Sequence, residues 1–150
     1  MANIDFRSLL KEETSLRWSF LDQQPEACAV VTTRMELLYL NYACQSLVPV
    51  DWFSLRCFEV LPHEDALCAL DCPTIHAVQT AEEITVCEET LRFDDGRAAV
   101  LSTAVIPLGE TDDRAKAVLL FRTNDPTIDA DEFRSRLLAD ARELQDRVSH

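Results

Sequence analysis

The sequence predicts an α+β fold with helices around an antiparallel sheet, and three observations support this prediction. Five short runs rich in apolar and β-branched residues are typical of strands, and they come as a pair followed by a group of three. Helical signals lie between the two groups, and an amphipathic segment lies at each end of the chain. Strands grouped into hairpins, with helices between and around them, are typical of antiparallel α+β domains.

The first predicted element is a helix over residues 4–21. Its apolar residues recur at roughly three- and four-residue steps, with charged residues between them: Phe6, Leu9, Leu10, Leu16 and Phe20. Asn3 is a suitable N-cap, and Pro25 breaks the pattern after the helix.

A β-hairpin is predicted next. Residues 27–32 and 37–40 are its strands, and residues 33–36 form the turn. Asn41 is expected to cap a short helix that ends before Pro49.

Pro73 marks the start of the next predicted helix, because proline is favoured in a first helical turn and disfavoured further inside. This helix should run to about Ala81. Three strands follow, over residues 84–93, 98–106 and 115–123. Asp95-Gly96 is a strong hairpin turn between the first two, because glycine accepts the positive φ that tight turns need.

The last predicted helix covers residues 130–148. Four apolar residues follow one another at four-, three- and four-residue steps and form a short seam: Leu137, Ala141, Leu144 and Val148. The seam either packs on its own domain or contacts a second copy. A dimer contact predicts that charged residues at Leu137 and Leu144 weaken dimerisation while the fold stays intact.

Composition sets limits on function. A chain of 150 residues is long enough for one domain with its own core. The net charge of −13 argues against direct contact with nucleic acid or an anionic membrane, since phosphates need a basic surface. No apolar run is long enough to span a bilayer, and the first residues do not resemble a secretory signal, so a cytoplasmic location is expected. With two glycines, the chain has no phosphate-binding loop.

An ordered set of short motifs resembles the PAS domain. Pro25 precedes an Ala29-Val30-Val31 strand, and Asn41 and Ala43 follow the second strand. The segment Cys57-Phe58-Glu59-Val60-Leu61 is similar to a short motif of the family, in which a cysteine or aromatic residue is followed by Glu and an apolar residue. Cys72-Pro73 through Thr80 resembles the helix before the main sheet in a subgroup with paired cysteines there. Asp95-Gly96, then Val105 to Leu108, and Leu119 to Thr123 resemble the last hairpin and the closing strand.

The resemblance implies a five-stranded antiparallel sheet with short helices on one side, often around a small pocket. It also implies flanking helices that pair two copies into a homodimer and pass a signal to a regulatory partner protein. The expected organisation is an N-terminal flanking helix over 1–22, a PAS-like domain over 23–124 and a C-terminal amphipathic helix over 125–150.

Four of the six cysteines fall between residues 57 and 87, and they are the candidate metal ligands: Cys57, Cys68, Cys72 and Cys87. Four thiolates can hold zinc or an iron–sulfur cluster, and some PAS-type sensors carry such a cluster. The alternatives are buried structural thiols, which pack as small hydrophobes, and a redox pair. The spacing alone does not choose among them.

His76 is the candidate cofactor ligand, because it lies on the helix where the resemblance places the axial histidine of haem-binding PAS domains. A helix histidine is also common as an ordinary surface or core residue. The simplest expectation is therefore no cofactor, with haem or an iron–sulfur cluster as alternatives.

These observations favour a non-catalytic sensory or protein-interaction module in signal transduction, with a small-molecule ligand as one candidate partner. A metal or iron–sulfur redox sensor built on the four cysteines is the first alternative. A small enzyme with a pocket on the sheet is the second, although convergent acid and base residues are not evident in the sequence.

Overall fold

A five-stranded antiparallel sheet with strand order β2-β1-β5-β4-β3 forms the centre of the chain. It is seen in a computed structural model that describes residues 6–46, 53, 73–92, 96, 98–109 and 114–148. The strands are β1 (Cys28–Val31), β2 (Leu37–Leu40), β3 (Thr85–Arg92), β4 (Ala98–Pro107) and β5 (Ala117–Thr123). The described helices are α1 (Phe6–Trp18), a 3₁₀ helix (Ser19–Gln23), α2 (Tyr42–Gln45), α3 (Pro73–Thr80) and α4 (Ala130–Val148). The predicted α+β fold and its antiparallel sheet are confirmed.

Strand β5 lies in the middle of the sheet because its sequence suits burial on both faces. The residues from Ala117 to Phe121 are all buried, and they form a continuous apolar run rather than an alternating one. β1 pairs along one side of β5, and β4 pairs along the other. The chain therefore covers both faces of the sheet centre.

The turn between β1 and β2 is held by one threonine. The Thr32 hydroxyl accepts hydrogen bonds from the backbone N–H groups of Arg34 (3.2 Å) and Glu36 (3.1 Å). Met35 takes a φ of 66°, a conformation in which glycine is the usual residue, and its side chain is buried. Burial of the methionine offsets part of the backbone strain. Gly96 has the positive φ (87°) that the Asp-Gly turn predicted.

The predicted helix starts and ends agree with the structure at several points. Helix α3 begins at Pro73 and α4 covers Ala130–Val148, as expected. Asn41 is the N-cap of α2, and its side chain accepts from the Cys44 N–H. The predicted N-cap at Asn3 lies outside the described residues. Among the described helices, none has the length and apolar character that crossing a membrane requires.

The face assigned to the first helix was partly wrong. Leu9 and Leu16 are 49% and 83% exposed, whereas Trp18 is buried. The α-helix ends at Trp18 and continues as a tighter 3₁₀ helix, so one 3.6-residue period does not describe the whole segment. Trp18 and Leu21 anchor the segment to the core instead.

The seam of α4 packs inside its own chain. Leu137, Ala141 and Leu144 are at most 1% exposed, and Val148 is also buried. The interpretation that the seam packs on its own domain is therefore confirmed. Charged residues at Leu137 and Leu144 should disrupt the fold, so the expectation that such variants keep it intact is wrong.

Candidate functional site

The sheet has two faces with different surroundings. On the outer face, Arg122 of β5 donates a hydrogen bond to Asp140 of α4 (2.5 Å), so α4 covers this side. Directly paired residues of antiparallel strands share a face, which places Ser102 and Glu88 on the outer face with Arg122. Alternate residues point to the other side, which we call the inner face.

The inner face is formed by buried residues of three neighbouring strands: Cys87, Thr103, Val105, Leu119 and Phe121. Helix α3 contacts β3 and β4. Because the outer face of these two strands is open to solvent at Val100, α3 lies against the inner face. Its buried residues there are Thr74, Ala77 and Val78.

Thr103 is the unusual residue of the inner face. It lies directly between Cys87 on β3 and Phe121 on β5. Its side chain is fully buried, and within the described part of the chain its Oγ1 has no hydrogen-bond partner. A buried hydroxyl without a partner costs free energy, about 1–3 kcal/mol. The inner face thus presents one polar atom that a bound molecule could satisfy.

Little in the local sequence pattern distinguishes Thr103. The only available signal was that Ser102-Thr103 interrupts the apolar run of β4 with two hydroxyl residues. The structure separates the two, because Ser102 points to the outer face and its Oγ hydrogen-bonds to Asn124 Oδ1 (2.5 Å). Thr103 points inward.

The predicted cysteine cluster is only partly described. Cys57, Cys68 and Cys72 lie outside the described residues, and Cys87 is buried on the inner face. In the ranges that the structure covers, no three His, Cys, Asp or Glu side chains come together as a metal site. Since three of the four candidate ligands are not covered, the metal or cluster site stays a prediction.

His76 is exposed on α3, whereas the neighbouring Ala77 and Val78 are buried. An axial haem ligand has to point into a pocket, and in this structure His76 points to solvent. Its role as a cofactor ligand stays a prediction to which this geometry adds no support.

Two other cysteines lie on either side of a buried asparagine. The Asn41 side chain accepts from the N–H groups of Cys28 (2.9 Å) and Cys44 (3.0 Å). It also donates to the carbonyls of Leu21 (3.0 Å) and Glu26 (2.8 Å). Asn41 thereby joins the 3₁₀ helix, β1 and α2 through a fully satisfied amide.

The thiols beside Asn41 are free and buried. Burial raises the pKa of Cys28 to about 12, with a further contribution from nearby Cys44. Burial also raises the pKa of Cys44 to about 12. A thiol must lose its proton to act as a nucleophile or a metal ligand, so both are best described as core residues.

Arg122 ties α4 to the sheet. Its guanidinium donates two hydrogen bonds to Glu26, one from Nε at 2.5 Å, and a third to Asp140. The hydrogen bonds to Glu26 raise the pKa of Arg122 above its usual value, and the hydrogen bond to Asp140 adds to the effect, although burial opposes it. This charged contact joins the segment before β1, the central strand and the C-terminal helix.

Comparison with known proteins gives one family and a common fold. A family model described as PAS fold matches residues 21–124, which is more than half of the chain. No curated protein matches the sequence.

Several solved structures are similar in fold. The PAS domain of an HTR-like protein from Haloarcula marismortui is 16% identical, with a TM-score of 0.55 over 79% of this chain and 98% of that one. The structure of RsLOV D109G is 10% identical, with a TM-score of 0.63 over 92% of this chain and 82% of that one. The Vibrio cholerae VqmA dimer is 18% identical, with a TM-score of 0.55 over 77% of this chain. The match spans about half of VqmA (53%).

Proposed function

The chain belongs to the PAS fold family, and from this premise we propose that it is a sensory module of signal transduction without catalysis of its own. In this proposal a small molecule binds at the inner face of the sheet. The observation that supports the proposal is the buried Thr103 hydroxyl, which has no partner among the described residues. A ligand with one polar group near Oγ1 would remove the cost of that unpaired hydroxyl.

The proposal includes an organisation into three parts. Residues 23–124 form the sensory domain, and the segments 1–22 and 125–150 carry its output. The match to residues 21–124 supports the central unit. Contacts of Arg122 with Glu26 and Asp140 offer a physical route from the sheet to the C-terminal helix.

We propose that two copies pair through the flanking helix α1. Leu9 and Leu16 are exposed and seven residues apart, so they lie on one side of the helix at a spacing of about 10 Å. The α4 seam is already buried in its own chain, so among the described residues of the two flanking helices the exposed large apolar side chains are those of the α1 stripe. VqmA, which shares the fold, is described as a dimer.

The oligomeric state tests this pairing. Light scattering after size exclusion should give twice the chain mass for the wild-type protein. Leu16→Glu should give a folded monomer, because the side chain is 83% exposed within its own chain and the substitution leaves the core unchanged. Tyr42→Glu, at another exposed residue, is the matched control and should remain a dimer. A wild-type monomer at high concentration would refute the pairing.

A regulatory partner protein is part of the proposal, and direct binding to nucleic acid is not. VqmA is described in a complex with DNA, but this chain has a net charge of −13, which disfavours phosphate contacts.

A metal or iron–sulfur sensor is the second candidate. The observation that favours it is the placement of Cys87 directly opposite Thr103 on the inner face. A cluster held by Cys57, Cys68, Cys72 and Cys87 would then lie against the same face as the proposed ligand. A visible absorption spectrum and metal analysis of protein purified without oxygen separate the two candidates, and haem at His76 would show in the same spectrum.

A thermal-shift screen with a library of small polar metabolites tests the main proposal. At least one compound should raise the melting temperature of the wild-type protein and have a much smaller effect on Thr103→Val. The matched control is Thr32→Val, which removes a hydroxyl at the β1–β2 turn and should respond like the wild type once its lower stability is taken into account. The proposal fails if no compound acts, or if every active compound acts equally on Thr103→Val.

A further inference from the structure

A groove of about 680 Å³ lies on the outer face of the sheet, between the β3–β4 strands and the first turns of α4. We call it the outer groove. Its apolar lining comes from both sides: Val86 and Val100 from the strands, Pro126 and Ile128 from the connecting segment, and Phe133 from α4. It lies on the opposite side of the sheet from Thr103.

The groove exposes an apolar surface that the described part of the chain leaves uncovered. Val100 is 42% exposed although it lies within a strand, and Val86, Ile128 and Phe133 are only partly buried. Contiguous apolar lining of this kind is typical of contact surfaces, because covering it removes apolar area from water.

Negative charge surrounds this lining. Of the charged residues that line the groove, the acidic Glu88, Asp125 and Asp131 and the basic Arg134 are all exposed, so acidic residues outnumber basic ones in the lining. Hydrogen bonds from the hydroxyl and N–H of Thr127 lower the pKa of Asp125, so this carboxylate is ionised at neutral pH.

The first turn of α4 does not favour an acidic occupant. The Asp129 carboxylate already accepts from the N–H groups of Asp131 (3.1 Å) and Glu132 (3.3 Å). The donors that would otherwise attract an anion are thus taken by a side chain of the same chain.

Charge also decides between two apolar occupants of the groove, which are helix α1 of a second copy and a segment of a different protein. The exposed stripe of α1 in a second copy, Leu9 and Leu16, is flanked by Glu12 and Glu13, which would meet the acidic groove with like charge. A segment with lysine or arginine beside its apolar residues would meet it with opposite charge.

We propose that the outer groove is the docking site for a short peptide segment of a partner protein, with apolar side chains flanked by Lys or Arg. This inference rests on the proposed signalling function, because it names the chemistry of the partner. The apolar side chains cover Val100 and Phe133, and the basic residues face Glu88, Asp125 and Asp131.

A displayed library of random dodecapeptides, selected on the full chain, tests the proposal. The selection is made at physiological salt with Val100→Glu protein in excess as a soluble competitor. Enriched peptides should combine apolar and basic residues. They should bind Val100→Glu and Glu88→Lys at least about tenfold more weakly than wild type, and Leu16→Glu as tightly as wild type. Glu88→Lys keeps the test valid if Val100→Glu is poorly folded.

Each other outcome overturns the proposal. No enrichment, enrichment of acidic peptides, or loss of binding in Leu16→Glu alone would each exclude a basic segment in the groove. If the wild-type protein is a dimer and Val100→Glu is a folded monomer, the occupant is a second copy. None of these results bears on the metabolite response of Thr103, so the proposed sensory function would be judged separately.

Discussion

Asn41 should be one of the most sensitive positions in the chain, and the structure gives the size of the effect. Asn41→Ala removes the acceptor for two backbone N–H groups, those of Cys28 and Cys44, and the donor for two carbonyls, those of Leu21 and Glu26. A buried donor left without a partner costs about 1–3 kcal/mol, so the two N–H groups alone predict a loss of about 2–6 kcal/mol. That is a large share of the 5–15 kcal/mol that is typical of a folded domain.

Asn41→Asp separates the two halves of this network. An aspartate can still accept from both N–H groups, but its carboxylate cannot donate and would lie beside the Leu21 and Glu26 carbonyls. Its pKa in the folded protein should therefore rise above the unfolded value of about 4. A raised folded pKa means that stability is retained below the unfolded pKa and lost as the pH rises through the folded one. Asn41→Asp should be more stable near pH 4 than at pH 7, relative to wild type.

Urea unfolding followed by tryptophan fluorescence measures both variants, since Trp18 is buried in the folded core. Ser46→Ala is the control, because it removes an exposed hydroxyl that bonds the Ala43 carbonyl near the same short helix. The control should change stability by less than about 0.5 kcal/mol. A loss below about 1 kcal/mol for Asn41→Ala would refute the assignment of Asn41 as the residue that joins these three elements.

The other predictions concern α4 and the buried thiols. Leu144→Ala should lower the free energy of unfolding, measured in urea, by about 2–5 kcal/mol, because the side chain is 1% exposed. A loss below about 1 kcal/mol would show that the α4 seam is not part of the core. Arg122→Ala should lower the free energy of unfolding by about 1–3 kcal/mol and speed amide hydrogen exchange along α4, because Glu26 and Asp140 lose their partner. An unchanged exchange rate would contradict the role of Arg122 in holding α4 to the sheet. At pH 8, Cys28 and Cys44 should resist alkylation in the folded protein and react once it is unfolded, and mass spectrometry of the labelled protein measures both rates. Labelling of the folded protein at the rate of a model thiol would contradict the burial of these two cysteines. Because their folded pKa values of about 12 lie above the unfolded value of 9.0, stability should fall as the pH rises from about 9 towards 12.

Local chemistry made many elements predictable from the sequence. Pro73 favours the start of a helix, and the apolar run of β5 favours a buried strand. The structure has a helix that begins at Pro73 and a buried strand at β5. Asn41 was identified as a cap for the same reason. Its other three hydrogen bonds depend on residues 13 to 20 positions away, which no local pattern contains.

The faces of the terminal helices were harder to predict, because a periodic apolar stripe does not say what covers it. In α4 the stripe meets the chain's own core, and in α1 Leu16 faces water while Trp18 is buried. Thr103 is a similar case. Alternation along β4 shows that Ser102 and Thr103 face opposite sides, but only the packed structure shows which hydroxyl finds a partner.

The stability of ligand-free Thr103→Val tests the central claim most directly. Valine has nearly the same shape as threonine and lacks the hydroxyl. If Oγ1 is unpaired in the folded protein, the variant should be more stable than wild type by about 1–2 kcal/mol in urea unfolding. Thr32→Val should instead lose stability, because the Thr32 hydroxyl accepts two backbone hydrogen bonds. If Thr103→Val loses stability as Thr32→Val does, the hydroxyl is already satisfied, and the inner face offers no open polar position for a ligand.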